Sequence, residues 1–292
     1  MGRLKIENAI DLHCHYGPDM VGAFGDGSYG VTALEAATEA AREGYAALVL
    51  KAHDFATPAL AFALQQVVPD VRVFGGLTLD YQAGGVNPAA VESALGLGAK
   101  IVWLPTLASA QDYRNGIGRE LGYPAPGLSV LDERGALIPA VREIMQLVAE
   151  HDAILATGHT SAEEHHAVAK EFGRRGKVLL THAGERAAGP GLSPAQCREL
   201  ADLGATVELT ALCCASVNGQ QGKSFAEMVE MIEAVGPARC TLASDYGWST
   251  AVPHPATGLH DFLDALWSEG VPEADLERMA SANPAALLGL AV

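Results

Sequence analysis

The chain has 292 residues, of which 49% are hydrophobic and 18% charged; that much apolar material excludes disorder or a coiled coil as the main state. Lys and Arg number 19 against 35 Asp and Glu, a formal charge of −16. A surface this acidic repels phosphate backbones and anionic lipid heads, so neither nucleic acid nor a membrane surface is an expected partner.

In chain order, the first short apolar run spans 10–13 and leads into Asp11-Leu12-His13-Cys14-His15. Seven more β-rich runs follow at 47–51, 71–77, 100–105, 153–157, 177–181, 205–209 and 240–243. Stretches with helical spacing lie between them, among them 31–44, 87–98 and 193–204. Asn87-Pro88 and Ser193-Pro194 each set a capping side chain before a proline at the first helical position. Glycines just past the last apolar positions mark helix ends. Eight strands alternating with helices predict a parallel sheet with right-handed crossovers. Eight such units close into a (β/α)8 TIM barrel, an α/β fold, here a single domain over 1–292. The alternative is an open doubly wound sheet, but no Gly-x-Gly-x-x-Gly follows the first strand. A long segment without clear periodicity, 107–139, follows the fourth strand, where a lid or binding loop is expected.

The five cysteines, Cys14, Cys197, Cys213, Cys214 and Cys240, form no Cys-x-x-Cys pair. Neither a disulfide framework nor a zinc knuckle is expected, and the cytoplasm is the expected compartment. No apolar run has the length of a signal peptide or a membrane span.

Chemistry-bearing residues gather at strand ends. On a strand His13 and His15 point to one side and Cys14 to the other. His159 follows the fifth run, His182 the sixth and Asp245 the eighth. In a barrel these C-terminal ends meet at one mouth. Imidazoles and a carboxylate converging there are satisfied together by one divalent cation. Lys51 and His53 share parity on the second strand and belong near the same mouth. Arg186, Arg114 and Tyr246 are expected substrate contacts, with Arg119, Tyr113 and Trp248 beside them, which points to a small polar or anionic organic substrate. Glu208 is expected behind the ligands. His165 and His166 are expected to face solvent, and His254 and His260 to lie after the eighth strand at the rim.

His-x-His on the first strand, His on the fifth, His on the sixth and Asp on the eighth resembles the amidohydrolase superfamily of metal-dependent hydrolases. Residues 281–290, SANPAALLGL, are similar to the segment that closes many of those barrels, and the resemblance covers essentially the whole chain. It implies that His13, His15 and Asp245 hold one cation, with Zn²⁺ the expected ion, and that His159 is a third histidine ligand. It implies that His182 binds a second cation or stands free as an acid and electrostatic stabiliser, and that Asp245 takes a proton from the attacking water. Two-metal members carry a bridging Lys or Glu at the end of the fourth strand. Here that strand reads KIVWLPT with Lys100 at its start, so no bridge is supplied there. Lys51 is the remaining candidate bridge, neutral or carboxylated, or else it pairs with Asp245, Asp54 or a substrate anion. One or two ions per chain are therefore expected. The implied activity is cleavage of a C–N or C–O bond in an amide, cyclic amide, lactone or ester. The alternative is a metal-dependent decarboxylase of a small carboxylic acid on the same site. Barrels of this kind often pair through outer helices, so a homo-oligomer is expected.

Overall fold

The computed structural model describes residues 4, 6–20, 28–216 and 221–291. Eight strands form one parallel sheet: β1 (Ile10–Cys14), β2 (Ala47–Leu50), β3 (Arg72–Thr78), β4 (Ala99–Trp103), β5 (Ile154–Ala156), β6 (Lys177–Leu180), β7 (Thr206–Thr210) and β8 (Cys240–Ala243). Their order in the sheet is their order in the chain. Just past β8 the chain meets β1 again. Asp245 N donates to His13 O, and His15 N donates to Tyr246 O, both at 2.9 Å. The expected (β/α)8 barrel is the observed fold, and each of the eight predicted runs is a strand.

The helices are α1 (Ala33–Arg42), α2 (Pro58–Gln65), α3 (Pro88–Gly96), α4 (Ala110–Asn115), α5 (Ile117–Glu120), α6 (Pro139–Glu150), α7 (Ala162–Phe172), α8 (Pro194–Asp202), α9 (Phe225–Val235), α10 (Pro255–Ser268), α11 (Glu273–Glu277) and α12 (Asn283–Leu288). Asn87 and Ser193 cap α3 and α8 as their sequence positions predict. Among the described residues, no helix is long and apolar enough to cross a membrane.

Two apolar clusters make the core. One lies between sheet and helices and includes Leu48, Leu50, Val102, Leu155, Val178, Val207, Leu209, Leu259 and Phe262. The other fills the barrel. Ile10 and Leu12, Ala47 and Val49, Ile101 and Trp103, Ile154 and Ala156, and Leu179 pack together with Ala285 and Leu288 of α12. This end of the barrel is plugged, because Asn283 donates to Pro237 O at 2.8 Å and to Cys240 O at 2.7 Å, at the start of β8. The polar groups collect at the opposite, C-terminal end.

One irregularity decides what β1 presents there. Ile10 and Leu12 face inward, and strict alternation would send Cys14 in next. Instead Asp11 pairs with Leu48 and Cys14 with Leu50, so Leu12 and His13 together oppose Val49. This β-bulge inserts one residue and turns His13 and His15 toward the interior.

The 107–139 segment is folded rather than open. It contains α4 and α5, and it is pinned to α7 where Ser129 Oγ and Val130 N donate to Glu164 Oε1 at 2.6 and 2.8 Å. His165 departs from the sequence reading. It is fully buried, because it shares a helix face with Val168, Ala169 and Phe172. Thr157 Oγ1 lies 2.8 Å from its Nε2, and Ser161 O lies 3.0 Å from its Nδ1. Burial pulls its pKa down to about 4, so it is a neutral packing residue.

Candidate metal centre

Five imidazoles close a circuit at the mouth. Ring centroids are 5.2 Å apart from His13 to His15, 5.2 Å from His15 to His53, 6.4 Å from His53 to His159, 4.6 Å from His159 to His182 and 5.8 Å from His182 back to His13. Asp245 Oδ1 lies 2.9 Å from His13 Nε2 and 3.2 Å from His15 Nε2. Lys51 Nζ lies 2.9 Å from His13 Nε2, and the Nε2 atoms of His159 and His182 are 2.8 Å apart. His13, His15 and Asp245 are all buried and offer ligand atoms within 4.8 Å of one another.

Three of these rings are held from behind by buried acids. His13 Nδ1 lies 2.9 Å from Glu208 Oε2, which also accepts from His182 N at 3.0 Å. His159 Nδ1 lies 2.6 Å from Asp112 Oδ2. His53 Nδ1 lies 2.9 Å from Thr106 Oγ1 and 3.3 Å from Asp80 Oδ2. A carboxylate on one ring nitrogen fixes the tautomer and leaves the other nitrogen's lone pair for a metal. Asp112 is held in turn by Gly189 N at 2.8 Å and Asn115 Nδ2 at 3.2 Å. The long segment after β4 therefore supplies the anchor of a histidine that follows β5. If the centre takes up a divalent cation, Glu208→Gln is expected to keep the fold and to weaken that binding roughly 10- to 100-fold, the usual cost of losing such a partner. Competition against a chelator of known affinity measures this, and wild-type affinity would contradict the anchoring role.

The backbone is strained at two of these positions. His182 has φ +27° and Asp245 φ +59°, conformations that few non-glycine residues adopt and that cluster at functional sites. The charges are equally unusual. Burial would raise Asp245, but His13 and His15 hold it well below the usual carboxylate range. Burial would lower His13, but Asp245 and Glu208 hold it up at about 9. Burial lowers His15, His159 and His182, so their rings are neutral. Burial lowers Lys51 as well, against the pull of Asp245 and Glu208.

This environment fits a divalent cation. Asp19, Asp80, Asp112, Glu208 and Asp245 are buried, and among the described residues Lys51 is the only buried Lys or Arg. Clustered buried carboxylates are costly without a compensating positive charge. Imidazole nitrogen with one carboxylate oxygen is the donor set of zinc-type ions.

The residues read as substrate contacts are not brought to the circuit. The Arg186 guanidinium is half exposed and pairs with Glu227 at 2.5 Å. Arg114 is exposed on α4, where its Nη2 donates to Gln111 Oε1 at 2.7 Å. The Tyr246 ring belongs to the core between sheet and helices and lies against Gly258 of α10, while its carbonyl closes the barrel seam. Arg119 donates to Tyr113 O at 2.7 Å within the same inserted segment. The Trp248 indole donates to Asp245 O at 3.1 Å. His254 faces Glu39 at 3.3 Å, and His260 lies against the Tyr45 ring. Sequence reasoning missed Asp19, Asp80 and Asp112. Asp80 had a signal, since it keeps the parity of Gly76 and Thr78 just past β3. Asp112 had one too, as the fourth residue of a Ser-x-x-Asp helix start at Ser109.

Residues 8–208, more than half the chain, match a family described as being of unknown function, DUF6282. No match was found among curated proteins. Among solved structures, the chain is similar to an amidohydrolase from Pseudomonas aeruginosa, at 11% identity and a TM-score of 0.60, covering 97% of this chain and 95% of that one. It is similar to the probable dipeptidase PvdM from the same organism, at 11% identity and a TM-score of 0.67, covering 96% and 94%. It is also similar to 2,6-dihydroxybenzoate decarboxylase from Rhizobium, at 11% identity and a TM-score of 0.59, covering 97% and 99%. The chain thus belongs to the DUF6282 family, and it shares its barrel fold with these solved structures.

Proposed function

We propose that the protein is a metal-dependent hydrolase that cleaves a C–N or C–O bond in a small polar or anionic organic substrate, an amide, cyclic amide, lactone or ester. The observation that carries this reading is the circuit of buried imidazoles around Asp245, three of them backed by buried acids. His13, His15 and Asp245 would hold the cation, of the zinc class, with His159 and His182 beside it as further ligands for one or two ions. When bound, such an ion lowers the pKa of its water from about 15.7 toward about 7 and polarises a carbonyl.

The residues then divide the work. Asp245, held ionised by His13 and His15, accepts the proton of the attacking water and returns it to the leaving group. His182 stabilises negative charge developing on the substrate where it is not itself a ligand. Lys51 is the amine available for a substrate carboxylate or oxyanion, since Arg186 and Arg114 are engaged elsewhere; carboxylated, it would instead bridge two ions.

A second reading, decarboxylation of a small carboxylic acid, is favoured by one observation: β4 ends at Trp103, followed by Leu104-Pro105, and gives no bridging Lys or Glu. The test is zinc-loaded protein against a panel of lactones, cyclic amides, esters and aromatic acids. Hydrolysis that vanishes on chelation and returns with zinc is the expected result. Release of CO₂ from the acids alone would favour the second reading. No metal uptake and no turnover would overturn both and leave a binding protein.

A further inference from the structure

A second set of donors lies beside this centre and shares only the His15 ring with its ligand group. His15, Asp19 and His53 are buried and bring ligand atoms within 4.8 Å of one another. His15 turns Nε2 toward Asp245. Its Nδ1 is buried without a hydrogen-bond partner. Asp19 Oδ2 is 3.9 Å from that nitrogen, too far for a hydrogen bond. Two donors on one ion stand roughly 3.4 Å apart when each bond is about 2.0–2.1 Å, so a small contraction would let these two share one. His53 has its Nδ1 occupied by Thr106 and Asp80, which leaves Nε2 as its ligand atom. Its ring stacks on His15 at an interplanar angle of 25°. Its backbone N–H donates to Asp19 Oδ2 at 3.2 Å, which fixes the carboxylate beside the ring.

We propose that His15 Nδ1, Asp19 and His53 Nε2 form a second divalent-cation site that shares the His15 ring with the first. Two imidazole nitrogens and one carboxylate oxygen select a zinc-type ion over magnesium or calcium. Three protein ligands leave a fourth position open for water or a substrate oxygen. With both ions bound, His15 bridges them through its two nitrogens, and its N–H proton leaves to solvent. The inference shares one residue with the proposed hydrolytic centre and is tested apart from it.

The experiment is zinc content after the full chain is stripped, reloaded with zinc chloride and dialysed. Asp19→Asn keeps an oxygen for the His53 N–H and is expected to bind one equivalent fewer than wild type. His53→Gln is expected to lose the same equivalent, and the double variant no more than either. Asp245→Asn is expected to lose a different equivalent, so that Asp19→Asn with Asp245→Asn loses two. Wild-type zinc content in both Asp19→Asn and His53→Gln, with Asp245→Asn still deficient, would overturn this site and leave the first intact. No zinc in the wild type would overturn both. Where a variant fails to fold by circular dichroism, a zinc-edge anomalous map of the wild type decides: a peak between His15 Nδ1 and Asp19 supports the site, and none there overturns it.

Discussion

Asp245→Asn is expected to abolish turnover and to weaken zinc binding at the first site by more than about 100-fold, beyond what loss of an outer partner costs. Asp245 Oδ1 stands close to both His13 Nε2 and His15 Nε2, at 2.9 and 3.2 Å. Asparagine keeps the volume but not the charge, and it cannot accept a proton from water. The same replacement should leave the fold in place. Asn tolerates a positive φ as well as Asp does, and position 245 sits at φ +59°. The backbone bond from residue 245 N to His13 O at 2.9 Å does not involve the side chain. Metal analysis, a far-ultraviolet spectrum and a turnover assay together check this. Wild-type zinc content with wild-type turnover would remove Asp245 from the site.

Gly247→Ala is expected to cost roughly 2–5 kcal/mol of stability, from a strained backbone and an overpacked contact together. Gly247 has φ +121°, and a Cβ there would collide with the carbonyl oxygen of His15. Its own carbonyl accepts from Gly30 N at 3.1 Å and Val31 N at 3.2 Å. The residue therefore lies in the seam where the chain after β8 meets the end of β1 and the approach to α1. Anything that pushes the two sides apart also moves His15 off Asp245. Urea unfolding and zinc affinity are both expected to fall. A variant with wild-type stability would show that the seam is looser than the geometry indicates.

The barrel was legible because its physics is local and repetitive. Eight β-branched runs, capped helices such as those started by Asn87-Pro88 and Ser193-Pro194, and glycines past helix ends recur in sequence and need no long-range information. His13, His15, His159, His182 and Asp245 were legible as a set for the same reason, since each ends a strand and strand ends of a barrel meet. The orientation of the first pair was not. Alternation from Ile10 would put Cys14 inside, and only the pairing of Asp11 with Leu48 and Cys14 with Leu50 reveals the bulge. For Asp112 the helix start at Ser109 was legible but its partner was not, because it sits on a short helix inside a segment without periodicity, 47 residues from the ring it holds. The substrate contacts of Arg186 and Arg114 could not be judged from sequence, because a charge near the mouth in sequence says nothing of its partner, and each has one on the surface. The solvent-facing expectation failed for His165 because it shares the buried face of α7 with Val168, Ala169 and Phe172.

Diffraction at the zinc absorption edge from crystals of zinc-loaded protein tests the account most directly. The prediction is an anomalous peak about 2.0–2.2 Å from His13 Nε2, His15 Nε2 and an Asp245 carboxylate oxygen. Those three side chains turned toward separate waters in zinc-replete crystals, with no peak among them, would contradict it.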